Sequence, residues 1–349
     1  MGATMRDVAR QAGVSVATVS RALSGSARVA PDVRERVAQA ARDLHYVPSR
    51  LPGNLRAKLS RNVALVVGNV RNPYFPDLIG GCEEAAQRAG YSLIIGDSDE
   101  DQERESAILE HLAAERVAGV VLASAGETTN GLRQLVALGT PIVAVDRRLE
   151  GLYVDTVTVD NEDAARRAVR HLVDLGHRRI GMISGPTSLS SIRDRQAGYV
   201  HALREAGIPA DASLVVQGDL RETTAAQQMA KLLDRPDPPT AILTVNNLAS
   251  VGALRALRAR GIDVPGQMAV VGFDDLPTGD LMDPPLTAVV QPTHDLGRTA
   301  MELLLRRLAT PDAPVRDVVL ETTFVVRGST APPWTPPVRV AGAVETTPT

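Results

Sequence analysis

The chain has 349 residues, a formal net charge of −3 and a single cysteine, Cys82. That length calls for two or three compact units, one cysteine excludes an intramolecular disulfide, and no apolar run reaches the roughly 18 residues of a membrane-spanning helix. The modest net charge conceals an asymmetry: residues 1–61 carry eleven Lys and Arg against four Asp and Glu, a net of +7, which leaves −10 for the remainder. A basic head on an acidic body is the electrostatic footprint of phosphate binding confined to one module. Arg6, Asp7 and Arg10 interrupt the place where an export signal needs its apolar stretch, so the expected compartment is the cytoplasm.

Thr4 to Ala12 reads as a short helix, with Thr4 and Asp7 spaced as a capping box in which Asp replaces Glu or Gln. Gly13 supplies a turn, and Val14 to Leu23 reads as a second helix with Ser15 as its N-cap. Val16, Val19, Ala22 and Leu23 recur at helical spacing as an inward stripe, which turns Ala17, Thr18 and Arg21 outward. That outward edge is free of bulk, as a helix lying in a major groove about 12 Å wide requires, and one Arg can fork onto a guanine edge. Two short helices around a Gly-containing turn make a helix-turn-helix; the spacing alone also fits an ordinary helical hairpin, and the basic charge favours the former. A third helix opens at Pro31 and runs to about Leu44, burying Val33, Val37, Ala41 and Leu44. Residues 49–61 form a basic linker with Leu51, Leu55 and Leu59 at four-residue spacing, in which Pro52-Gly53 argues against a stable helix when free.

From Val63 onward, apolar strands alternate with amphipathic helices. Strands are expected at residues 63–67, 92–95, 117–122 and 142–145, with helices at 75–89, 103–115 and 132–138. The pattern restarts with helices at 163–175, 193–206, 223–233 and 249–260 between strands at 180–183, 214–216, 241–245 and 269–271. A later helix at 296–308 and one strand at 318–326 pass back to the first half. Continuous apolar strands separated by helices mean parallel sheets covered on both faces. The expected fold is therefore a small all-α helix-turn-helix head plus an α/β body of two doubly wound parallel-sheet subdomains.

Ligands of such sheets bind beyond the carboxyl ends of the strands, and two facing halves make a cleft. The residues there are Asn72-Pro73-Tyr74-Phe75, Asp146-Arg147, Ser184-Gly185, Asn246-Asn247 and Phe273-Asp274-Asp275. Carboxylates, amides and guanidinium groups with one or two rings suit a polyhydroxylated ligand. The plainer reading makes Asn247 and Asp275 helix N-caps, and His177 reads as a helix-end cap. With no Walker-type loop, no Cys/His cluster and no nucleophile elbow, no cofactor, metal or catalytic residue is expected.

With these residues laid out, the chain resembles the lactose/galactose-repressor (LacI/GalR) family of bacterial transcription regulators over about residues 4–328. Met5 to Ala9 followed by Ala12 to Arg21 carries that family's DNA-binding signature. Asn72 to Phe75, Val159 to Asn161, Leu175 to Arg178, Arg195 with Gly198-Tyr199, Val271 to Asp275 and Pro284 to Thr287 follow in the family's order. The resemblance implies a head at 1–48, a hinge at 49–61 and a periplasmic-binding-protein-like body at 62–330 whose halves are joined by three crossovers. The first half would comprise about 62–159 and 291–319, the second about 160–290 and 320–330, before an unstructured tail at 331–349. It also implies that Val16, Ala17 and Arg21 read bases, that Ser15, Thr18 and Ser20 hold phosphates with Thr4 in the DNA-binding set, and that Leu55 wedges into the minor groove.

For the effector it implies Tyr74, Phe75, Asp146, Arg195, Asn246 and Asp274. Three departures stand out: Asn246-Asn247 where the family usually has Asn-Asp, Pro52-Gly53 where its hinge usually has Ala-Arg, and Ala30 where a Ser usually opens the third helix. The tail lacks leucine heptads, so a homodimer is expected rather than a tetramer. The expected function is a repressor that binds a near-palindromic operator under control of a small-molecule effector, a sugar or derivative. The alternatives are a cytoplasmic sugar-binding protein or an enzyme on a doubly wound fold.

Overall fold

The computed structural model describes residues 5–23, 29–44 and 60–334, and the chain divides into two units, residues 1–60 and 61–349. In the first unit, α1 (Met5–Ala12), α2 (Val16–Leu23) and α3 (Pro31–Asp43) close on Val8, Ala9, Val19, Ala22, Val37 and Ala40. Gly13 makes the turn between α1 and α2 at φ +67°, a left-handed conformation that glycine adopts without steric cost. Ser15 caps α2 as expected, its Oγ accepting the Thr18 backbone N–H at 3.1 Å.

The inward stripe is corrected at one residue, because Val16 is 42% exposed. Each step of three residues falls about 60° short of a full turn, so a line through Val16, Val19 and Ala22 slants around the helix. The narrow seam with α1 and α3 holds Val19 and Ala22 and leaves Val16 beyond its edge. Thr4, the hinge positions Pro52, Gly53 and Leu55, and residues 335–349 lie outside the described residues.

The second unit holds two six-stranded sheets built to one plan. The first contains β1 (Asn62–Val67), β2 (Ser92–Asp97), β3 (Val120–Leu122), β4 (Ile142–Val145), β5 (Asp155–Val159) and β11 (Asp317–Leu320), in the order β11-β5-β4-β3-β1-β2, all parallel. The second contains β6 (Ile180–Ser184), β7 (Val215–Gln217), β8 (Ala241–Thr244), β9 (Ala269–Phe273), β10 (Thr287–Val290) and β12 (Thr323–Val325), in the order β12-β10-β9-β8-β6-β7. Here β12 alone runs antiparallel, against β10.

Helices cover both faces, which is why the central strands are apolar throughout. On the first sheet α4 (Tyr74–Arg88) and α11 (Thr293–Ala309) pack on one face, α5 (Gln102–Ala114) and α6 (Asn130–Ala137) on the other. On the second, α7 (Asn161–Asp174) and α8 (Ser190–Glu205) pack opposite α9 (Glu222–Leu233) and α10 (Asn247–Ala259). Gly198 belongs to this packing, since a Cβ there would stand 2.1 Å from the Glu162 carbonyl oxygen across the α7–α8 contact.

Two strands, β5 and β10, were not expected. β5 reads Asp-Thr-Val-Thr-Val, too polar for a core strand, yet it is buried because Arg307 pairs with Asp155 at 2.7 and 2.9 Å and the Arg316 N–H donates to it at 2.8 Å. The single strand expected at 318–326 is two, β11 in the first sheet and β12 in the second. The chain thus passes between the sheets after β5, after β10 and after β11. Two of these crossings are tied together: Asp160 accepts the Thr322 N–H at 2.9 Å, and Arg167 donates to Asp160 at 2.8 Å and to the Thr322 hydroxyl at 2.7 Å. His177 caps the end of α7 as expected, its backbone N–H donating to the Leu172 carbonyl at 3.1 Å past Gly176 at φ +100°. Its buried ring bridges the Thr240 hydroxyl and the Ala331 carbonyl, each at 2.8 Å, which anchors the chain where the unstructured tail was expected to begin.

Candidate functional site

On α2, Ser15, Val16, Ala17, Ser20 and Arg21 are exposed and Thr18 is half-buried. The Ser15 and Thr18 hydroxyls lie 2.8 Å apart. The result is a ridge of small side chains ending in one guanidinium, with short hydroxyls along its flank. Val16 adds an apolar contact to that ridge, the kind a thymine methyl accepts.

The second site lies where the carboxyl ends of the two sheets face each other. Tyr74, Phe75, Asp146, Arg195, Asn246 and Asp274, expected from separate stretches of sequence, all line one cleft there. Asp146 directly follows β4 and Asp274 directly follows β9, equivalent strands of the two sheets, and each has φ +67°. Asp tolerates this left-handed conformation better than most residues, and the kink turns each carboxylate off its strand into the cleft. Asn72 accepts the Tyr74 N–H at 2.9 Å and so fixes the start of α4. Tyr74 in turn donates its hydroxyl to Asp146 at 3.1 Å. Burial, with Asp146 and Asp274 nearby, pushes the Tyr74 phenol well above its usual range, so it remains a donor.

From the other side, Arg195 on α8 is held on three sides. Its Nε donates to Asn161 at 2.7 Å, its Nη1 to the Val245 carbonyl at 2.6 Å, and its guanidinium carbon lies 3.7 Å from the centre of the Phe273 ring. Asp274 accepts from the Gln291 amide and from the Asn247 backbone N–H. Burial nevertheless raises its carboxyl to about 6, against the pull of Arg195 and these donors.

Three residues differ from expectation. The cap of α10 is Asn246, not Asn247: its Oδ1 accepts the Ala249 N–H at 2.7 Å while its Nδ2 donates to the Leu220 carbonyl at 3.2 Å. Asn247 is fully buried, with no hydrogen-bond partner at its Nδ2. Asp275 caps no helix and instead forms a two-pronged pair with Arg327 at 2.6 and 2.9 Å. Glu100 and Gln291 also line the cleft and were missed. Both follow strands: β2 extends two residues past its expected end, and β10 is one of the two strands that the sequence pattern does not predict. The lining side chains nearly meet, with about 30 Å³ of free space among them, so a guest larger than a water or two enters only as the halves part.

The bacterial regulatory protein, lacI family, model matches residues 4–49, and a periplasmic binding protein-like domain matches residues 169–330. The HTH-type transcriptional repressor CytR of Escherichia coli (strain K12) is 34% identical over 94% of this chain and 96% of its own length. The chain belongs to the lacI family of bacterial regulatory proteins. Members of the family are DNA-binding transcriptional regulators, which sets aside the enzyme reading. A ribose operon repressor of Haemophilus influenzae is 32% identical over 94% of this chain and 98% of its own length. Among solved structures, a complex of the transcriptional regulator CelR with cellobiose is 35% identical, covers 94% of this chain and 99% of its own, and has a TM-score of 0.72. A lac repressor dimer bound to operator and an anti-inducer is 28% identical, covers 95% and 100%, and has a TM-score of 0.81. The all-α head and two parallel-sheet subdomains are the architecture of this family. Among the described residues, no helix is long and apolar enough to cross a membrane.

Proposed function

We propose that the chain is a homodimeric cytoplasmic repressor whose grip on a near-palindromic operator is set by a carbohydrate bound in the cleft. Val16, Ala17 and Arg21 read bases, Thr4, Ser15, Thr18 and Ser20 contact the DNA backbone, and Leu55 is the minor-groove wedge. Tyr74, Phe75, Asp146, Arg195, Asn246 and Asp274 hold the effector. The observation that carries the effector half is the convergence of these six side chains from both sheets on one polar cleft. The charged ones among them supply the paired donors and acceptors that vicinal hydroxyls need, and the rings cover an apolar sugar face. The relatives whose structures are described with cellobiose or ribose bound favour the same ligand class. A dimer supplies the two recognition helices that a two-fold operator demands.

Two measurements test this. A thermal-shift screen of sugars should find a ligand that stabilises the chain by roughly 2.7 kcal/mol at 100 times its dissociation constant, and that ligand should change operator affinity in a gel shift. Arg21→Ala should weaken binding by about 1–3 kcal/mol per half-site and relax base choice at one symmetric position. Equal weakening on all sequences would remove Arg21 from the base-reading set.

A further inference from the structure

We propose that the cleft selects an effector without phosphate, and that Glu100 enforces this by occupying the guanidinium of Arg147. This rests on the reading of the cleft as the effector site.

An arginine at the carboxyl end of a sheet is an obvious anchor for a phosphate. Here that anchor is already taken. Arg147 donates from Nη1 and Nη2 to the two Glu100 oxygens at 2.7 and 2.8 Å, gives a further Nη1 bond to the Ser124 carbonyl at 2.6 Å, and has its Nε 3.1 Å from Asp146. Arg147 is buried and Glu100 half-buried, so a phosphate could reach the guanidinium only by breaking a two-pronged pair with little water to compensate. The arrangement is built into the backbone. Glu100 sits at φ +60°, its N–H donates to the Gly68 carbonyl at 2.6 Å, and a Cβ on Gly68 would stand 2.2 Å from the Glu100 carboxylate oxygen.

The remaining guanidinium, Arg195, is partly consumed by Asn161 and Val245 and shares the cleft with Asp146 and Asp274. Among the charged lining residues, three carboxylates therefore meet two guanidiniums. Of the helix starts at the cleft, the other common phosphate seats, those of α4 and α10 are filled from within by Asn72, Asn246 and Asp274, and that of α8, where Ser191 and Ile192 line the cleft, carries no side-chain cap. Glu100 and Leu220 also line an adjoining hollow of about 310 Å³, where Asp99, Asp101 and Asp219 surround Arg221. An anion approaching by this side meets a negative field before it meets the cleft.

The test titrates the full chain with ribose, glucose and cytidine, each beside its 5- or 6-phosphomonoester, by calorimetry and thermal shift. Wild type should bind the unphosphorylated member of a pair at least 100-fold more tightly. Glu100→Ala, with the Arg147 fork released, should narrow that ratio to tenfold or less by gaining affinity for the ester; Glu100→Gln, which keeps the shape, should fall between. A phosphate ester that binds wild type as tightly as its parent, with the binding lost in Arg195→Ala, would overturn the selectivity while leaving the cleft as the effector site. An unchanged ratio in both Glu100 variants would remove Glu100 from the mechanism. Binding of the sugars that Arg195→Ala leaves untouched would overturn the cleft assignment itself, and the inference with it.

Discussion

The two halves of the cleft share a backbone plan and differ in how their charges are used. Each half places an Asp at φ +67° after an equivalent strand and an Arg within reach of it. In the first half the charges largely satisfy one another: Glu100 and Ser124 take the Arg147 Nη atoms and Tyr74 donates to Asp146, while the buried Arg147 Nε, 3.1 Å from Asp146, makes no hydrogen bond. In the second half capacity remains. Asn247 Nδ2 is buried without a hydrogen-bond partner, as is Oε1 of Gln291 on the strap that leaves β10, and Asp274 is held against its ionisation. Equivalent geometry therefore does not mean equivalent function: the first half ties most of its charges to one another, and the second half with its strap keeps more of the groups that a guest can still satisfy.

That contrast predicts the largest loss at Arg195. Arg195→Ala leaves Asn161 Oδ1 and the Val245 carbonyl without their donor, so the second subdomain should lose about 3–5 kcal/mol of stability by denaturant titration. The effector response should vanish, while operator affinity without effector stays close to wild type. A variant that keeps its response would mean that the second half is not where the guest is recognised.

Asp274 gives the next effect, and its sign is opposite to that of an ordinary salt-bridged Asp. Its folded-state carboxyl titrates near 6 against an ordinary value of 3.8, so folding favours the protonated form. That contribution is complete below about pH 3.8 and is lost as pH rises through 6, a change of up to roughly 3 kcal/mol relative to Asp274→Asn. Thermal denaturation of both proteins from pH 4 to 7.5 checks it, and parallel curves would dismiss the burial argument. Effector affinity should run the other way, falling below pH 6 as the carboxylate stops accepting two hydroxyl bonds.

The smallest effect concerns the rim. Arg148, which follows β4, donates to both oxygens of Asp194 on α8 at 2.8 Å and is 45% exposed. Arg148→Ala should cost under about 1 kcal/mol, because exposed pairs contribute little, yet it should shift the effector concentration for half-response, since the pair joins the two halves. A double-mutant cycle with Asp194→Ala reads both quantities.

Most of the fold was legible because the core strands are apolar from end to end and their helices keep a helical period. What stayed hidden depends on distant partners. β5 is made acceptable by Arg307 and Arg316, more than 150 residues away in sequence, so its own letters carry no core signal. The run from Val318 to Val326 is apolar at both ends and short enough for one strand, and its polar middle, Glu321-Thr322-Thr323, is where the chain changes sheet. Val16 shows the same limit on a smaller scale, since period identifies a stripe but not how much of it the neighbouring helices cover. In the cleft, the six residues found lie beside strand ends that were recognised or in motifs of the family. Glu100 and Gln291 stay hidden because β2 runs on through Gly96-Asp97 beyond its apolar stretch and β10 is only four residues long.

The crossings decide how this body can move. The Asp160–Arg167–Thr322 tie welds two of the three straps into a single fulcrum. The third strap carries Gln291, whose amide grips Asp274 at the floor of the cleft. A guest therefore pushes on the jaws close to their axle, where a displacement of a few tenths of an ångström is a rotation. At the far rims, the same rotation is a stroke several times longer. The cleft acts as the short arm of a lever, and a ligand that barely disturbs its floor can still be felt at the edges of both sheets.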